Sequence, residues 1–175
     1  ASLFFRNSQK ATKAELENIK QVLQAKSDTK LFELTQGYDR DSLGIASDFA
    51  SYKRALATEV NREDRPGFER KAQEIVDAVK TVYRKDMEDL QYQFHTPAKG
   101  LSKDQLLSFY IREFDNLNRA LIDARREKYI LDRNELMLHI KDLNEIVGNI
   151  NNLLSSKTIN VELAREVIQD GYNLQ

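Results

Sequence analysis

A chain of 175 residues with 41% apolar residues, six Gly and two Pro is long enough to bury a core, and too poor in turn residues for the many short strands of a sandwich or barrel. Its 27 basic and 28 acidic side chains nearly cancel, which excludes a global field drawing it onto nucleic acid or an anionic membrane. The lack of Cys excludes disulfides, thiolate metal sites and a Cys nucleophile, and no window approaches the roughly 20 apolar residues that span a bilayer.

The opening Ala1-Ser-Leu-Phe-Phe5-Arg6 has neither the basic start nor the apolar length of a signal peptide. The expected location is the cytoplasm, or a virus particle assembled there. Leu3, Phe4 and Phe5 form a small apolar plug that either folds back onto its own bundle or docks a protein partner. Thr12-Lys-Ala-Glu15 then matches a capping box, in which hydroxyl and carboxylate satisfy each other's free N–H groups. A helix is expected from there to about Lys26, with Leu16, Ile19, Val22 and Leu23 on one face. Ser27-Asp28-Thr29 interrupts it, and Gly37 closes a short apolar turn containing Leu31, Phe32 and Leu34. Asp39 to Ser42 supply caps for a second helix carrying Ile45, Phe49, Tyr52, Leu56 and Val60 on one stripe.

Asn61 to Gly67 is the most linker-like stretch, and Pro66 is placed to start a helix. The third helix is predicted to carry Phe68, Ala72, Val76, Val79, Tyr83, Met87, Leu90 and Phe94 on one stripe, ending at His95-Thr-Pro97-Ala-Lys-Gly100. A second capping box, Ser102-Lys-Asp-Gln105, opens a very long helix over about 103–154, which would reach on the order of 75 to 80 Å if continuous. Its first half spaces Leu107, Tyr110, Phe114, Leu117, Leu121 and Ala124 as a heptad seam, and its second half does the same with Leu136, Ile140, Leu143, Val147, Ile150 and Leu154. The second seam resumes five residues after Leu131, rotated by roughly 140°. A continuous helix burying different faces at different heights is favoured over a break near Asp132. A last helix is expected from Val161 to Asp170, capped by Thr158 or Asn160 and ended by Gly171. These elements predict an all-α fold: an elongated antiparallel bundle of four to six helices, forming one domain over 1–175. A hinge at 61–67 would separate an N-terminal helical part from a C-terminal long hairpin.

Chemistry-bearing patterns are scarce. His95 falls in the turn before the long helix, and His139 shares a face with Glu135 without the repeated Glu-x-x-His of di-iron bundles. Both read as solvated or boundary residues. The glycines are too scattered for a phosphate loop, and helix capping explains Ser42 and Ser102. No catalytic residue, metal site, cofactor or small-molecule substrate is expected, and the chain reads as a non-enzyme. Arg112, Arg119, Arg126 and Arg133 recur every seven residues, a ridge with steps of about 10 Å. It could hold phosphates, although Asp115, Asp123 and Glu127 are placed to pair with it. The second seam, Leu136 to Leu154, packs within the chain or zips to a partner. The apparent shortage of apolar helix early in the chain argues for a partner. The preferred expectation is an adaptor, scaffold or structural subunit that pairs with itself or another protein. The alternative is a nucleic-acid-binding or regulatory protein using the arginine ridge, and an enzyme site assembled on the bundle comes last.

Overall fold

The computed structural model describes residues 12–62, 64–156 and 159–173, and within them the chain is all-α, with five helices and no strand. In chain order these are α1 (Lys13–Val60), α2 (Arg65–Val82), α3 (Arg84–Asp89), α4 (Lys103–Ser155) and α5 (Val161–Asn173). No helix among the described residues is long and apolar enough to cross a membrane. Leu3, Phe4, Phe5 and the cap candidate Thr158 lie outside the described residues.

Both capping boxes close as expected. Thr12 Oγ1 accepts from the Glu15 N–H and Glu15 Oε2 from the Thr12 N–H, each at 3.1 Å. At the start of α4, Ser102 Oγ accepts from the Gln105 N–H at 3.2 Å and Gln105 Oε1 from the Ser102 N–H at 2.9 Å. Asp64 caps α2 by accepting from the Gly67 N–H at 3.1 Å, with Pro66 in the first turn. Asn160 caps α5 by accepting from the Leu163 N–H at 3.1 Å.

α1 corrects the expectation of two helices, since it runs 48 residues without a break. Ser, Asp, Thr and Gly in a helix interior each cost only about 0.5 to 1 kcal/mol, and no Pro stands between Lys13 and Val60. A local pair offsets part of that cost, since Gln24 Nε2 donates to Asp28 Oδ1 at 3.2 Å across one turn, while Thr35 Oγ1 satisfies itself on the Leu31 carbonyl at 3.0 Å. Ser42 therefore caps nothing, and its buried Oγ has no hydrogen-bond partner among the described residues. With 48 residues against the 53 of α4, the early chain also has no shortage of helix.

The expected third helix is divided. α2 gives way to the six-residue α3 at Tyr83, whose φ of −107° and ψ of 20° leave helical geometry. There the ring stacks on Phe49, with centroids 5.8 Å apart, and its hydroxyl donates to Asp48 Oδ2 at 2.6 Å. α3 ends in a Schellman motif: Tyr92 N–H donates to the Met87 carbonyl at 2.9 Å and Gln91 N–H to the Glu88 carbonyl at 3.0 Å, with Gln91 at φ 53°. Gly, which lacks a Cβ, is the residue that adopts this conformation without strain, so a Gln there gives no sequence signal. Tyr92 and Phe94 consequently sit on an irregular segment and pack against the core from it.

The chain forms two compact units, Ala1–Gln36 with Ile130–Gln175, and Gly37–Tyr129. In the second, Ile45, Phe49 and Leu56 of α1, Phe68 to Val79 of α2, Tyr83 and Met87 enclose a core with Leu106, Phe114, Leu117 and Leu121 of α4. Phe68 lies 6.5 Å from Tyr110 between ring centroids, joining α2 to α4 across the turn at Pro97 to Gly100. Each such buried side chain contributes about 1.5 to 3 kcal/mol. In the other unit, Leu16 and Leu23 of α1 meet Leu143, Ile146, Ile150 and Leu153 of α4 and Ala164, Val167 and Ile168 of α5. Gly171 does not end α5 but lies inside it, where a Cβ would stand 3.1 Å from Leu23 Cδ1. Its missing side chain lets α5 approach α1.

Candidate interaction surfaces

α4 offers two opposite faces between Ile130 and Leu154. Leu143 and Ile150 of the expected seam are 1% and 0% exposed within their own unit, and Val147 and Leu154 pack against the same core. Leu136 and Ile140 are half-buried. Ile146 and Leu153, which fall between the seam positions, are buried beside them, so the face that packs is broader than a two-position stripe. Leu136 and Leu143 form part of the floor of an open groove of about 780 Å³ with Leu23 and Leu34. Lys26 and Lys30 stand on its α1 rim, and Asp132, Glu135 and His139 on its α4 rim. Among the described residues no ion pair crosses the groove.

The other face carries large apolar side chains left in solvent. Ile130, Leu131, Met137 and Leu138 are 43%, 65%, 47% and 66% exposed. At about 100° per residue they fall within an arc of about 120° centred on Asn134, diametrically opposite the packed face. Heptad counting along the buried seam passes over them, yet their spacing of one, six and one is itself helical. Phe32 of α1 is similarly exposed, at 65%.

In the unit formed by Gly37–Tyr129 the arginine ridge is solvated: Arg112, Arg119 and Arg126 are all exposed, and none is in an ion pair among the described residues. Asp115, expected to neutralise it, instead accepts from Lys53 Nζ at 2.9 Å. Arg125, one residue off the ridge, is clamped by Asp41 at 2.9 Å and Asp86 at 3.0 Å, which ties α1, α3 and α4 together. Arg133, the fourth member by spacing, is exposed as well.

One polar contact escaped the sequence. Glu113 is 5% exposed, and its Oε1 accepts from the His95 backbone N–H at 2.9 Å and lies 2.8 Å from His95 Nδ1. The Tyr92 hydroxyl donates to the Glu113 carbonyl oxygen at 3.3 Å. Burial, followed by the charge of Glu113, raises the Tyr92 phenol above its ordinary range. The carboxylate fixes the irregular segment onto α4. Although a carboxylate-oriented imidazole is a component of acid–base sites, among the described residues no hydroxyl bonds to the ring, and no three potential metal ligands gather. His139 lines the groove with Glu135 and makes no hydrogen bond among the described residues. Comparison with protein-family models, curated proteins and solved structures gives no match.

Proposed function

We propose that this chain is a non-enzymatic interaction and assembly protein, an adaptor, scaffold or structural subunit, which docks protein partners on the outer face of α4. The carrying observation is the exposure of Ile130, Leu131, Met137 and Leu138 on one continuous helical face. Contiguous exposed apolar surface of that kind marks an interaction site in a folded protein, and an amphipathic helix face is read through anchors at this spacing. The lack of Cys suits work in the reducing cytoplasm.

The test is a photo-crosslinking amino acid placed at Leu131 or Leu138 of the full chain in its native cells, with Leu143 as the buried control. A discrete crosslinked protein from the two outer positions and none from Leu143 is expected. Chains recovered uncrosslinked from both outer positions would sink the docking role.

A second reading rests on the exposed guanidiniums of Arg112, Arg119 and Arg126, in no ion pair among the described residues, which suit phosphate recognition. It requires nucleic-acid binding that weakens steeply with salt and disappears when the three become Glu. Absence of binding at low salt would dispose of it.

A further inference from the structure

We infer that the partner of the α4 outer face is a second copy of this chain, laid antiparallel so that a two-fold axis passes beside Asn134. This rests on the outer face being a docking surface, and it names the occupant.

The face is palindromic about Asn134: its apolar residues stand three and four positions before it, at Leu131 and Ile130, and three and four after it, at Met137 and Leu138. A two-fold axis perpendicular to the helix exchanges its ends while keeping each flank on its own side. Leu131 then meets Leu138 of the second copy, and Ile130 meets Met137. A surface that complements itself under a two-fold is what an isologous dimer needs. Asn134 faces its own counterpart on the axis, where a paired amide fixes register at some cost in stability.

Charge selects the same orientation. Glu127-Lys128 precedes the quartet in the sequence and Lys141-Asp142 follows it, and all four side chains are exposed. Antiparallel pairing sets Lys141 beside Glu127 of the other copy and Asp142 beside Lys128. Parallel pairing sets each charge against itself, which disfavours that alternative.

Area sets the strength. From exposures of 43%, 65%, 47% and 66%, the four side chains offer on the order of 400 Å² per copy, inside the size range of functional patches. Two copies bury roughly 800 Å², short of the ~1,200 Å² at which standard interfaces begin. The dimer is therefore weak and reversible, with a dissociation constant of about 10 µM or higher.

Sedimentation equilibrium of the full chain, from low micromolar to near-millimolar concentration, should show a reversible rise from monomer towards dimer mass. The native chain has no Cys, so introduced thiols report contacts without background. Leu131→Cys mixed with Leu138→Cys should form a disulfide-linked pair at least several-fold faster than either variant alone. K141E should weaken the dimer several-fold, and E127K combined with K141E should restore it. Both leucines are about two-thirds exposed, and circular dichroism of the reduced variants verifies that they fold. Rapid self-crosslinking of Leu131→Cys would overturn the antiparallel arrangement. Monomer mass at every concentration, without crosslinking, would overturn the second copy as occupant. Photo-crosslinking to a different protein in cells would still support the docking role in that case, so the two failures are distinguishable.

Discussion

Replacing Gly37 by Ala tests the continuity of α1 through the sign of its effect. Gly37 lies inside the 48-residue helix, has no positive φ, and a Cβ there would meet nothing within 4 Å. With no packing change, the substitution should return the helix-propensity difference between Gly and Ala, about 0.8 to 1 kcal/mol. Were Gly37 instead a left-handed helix cap, Ala would cost about 1 to 2 kcal/mol. The two arrangements therefore differ by roughly 2 to 3 kcal/mol and in sign. Urea titration followed by circular dichroism at 222 nm reads it, together with a midpoint rise of about 2 to 4 °C on heating. Gly44→Ala, also unobstructed, should add a similar gain. A lower urea midpoint for Gly37→Ala would refute the unbroken helix.

Phe49→Ala removes a fully buried ring that contacts Tyr52, Tyr83 and Phe114, and should cost about 3 to 5 kcal/mol in urea unfolding. Glu113→Ala leaves the His95 amide without its acceptor. A loss of about 1 to 3 kcal/mol is expected, with faster hydrogen exchange at His95 while α5 amides stay protected. Tyr83 titrates above its ordinary value of 10.0, first because it is buried and then because it bonds to Asp48. The folded state holds the phenolic proton that the unfolded chain releases, so this stabilisation is complete below about pH 10 and declines as pH rises beyond it. Tyr83→Phe should flatten the alkaline fall in melting temperature, and an unchanged fall would reject Tyr83 as its source.

The ends of the helices were legible because caps are local chemistry. Thr12 with Glu15, Ser102 with Gln105, and Pro66 announced three starts, and the scarcity of Gly and Pro after Ser102 announced the length of α4. Interruptions are weaker signals than caps. Ser27-Asp28-Thr29 and Gly37 weaken a helix by amounts that tertiary burial of Leu16, Leu23, Ile45 and Phe49 exceeds. The stop after Asp89 leaves no mark in the sequence, because a Gln occupies the left-handed position usually filled by Gly. At the candidate surface, the heptad pattern identified the buried side of α4 and drew attention away from Ile130, Leu131, Met137 and Leu138. Apolar residues opposite a seam do not extend its period, and only exposure separates them from core. Glu113 was illegible for another reason: its partner is an amide 18 residues earlier in the chain, set by the path of an irregular segment that no period describes.

The two compact units differ in how their chain is supplied. Gly37–Tyr129 is one continuous stretch, whereas the other unit joins the first 36 residues to residues 130–175. Lys20 Nζ reaches Asn151 Oδ1 at 3.2 Å across 131 positions, and Leu16 shares a core with Ile150 and Leu153. During synthesis the continuous unit can therefore complete its core while Leu16 and Leu23 still lack their partners. Contacts between distant segments also form slowly. A newly made chain with that order of events has half of α1 packed while its other half shows apolar residues to the surroundings, a window for chaperones and for premature association.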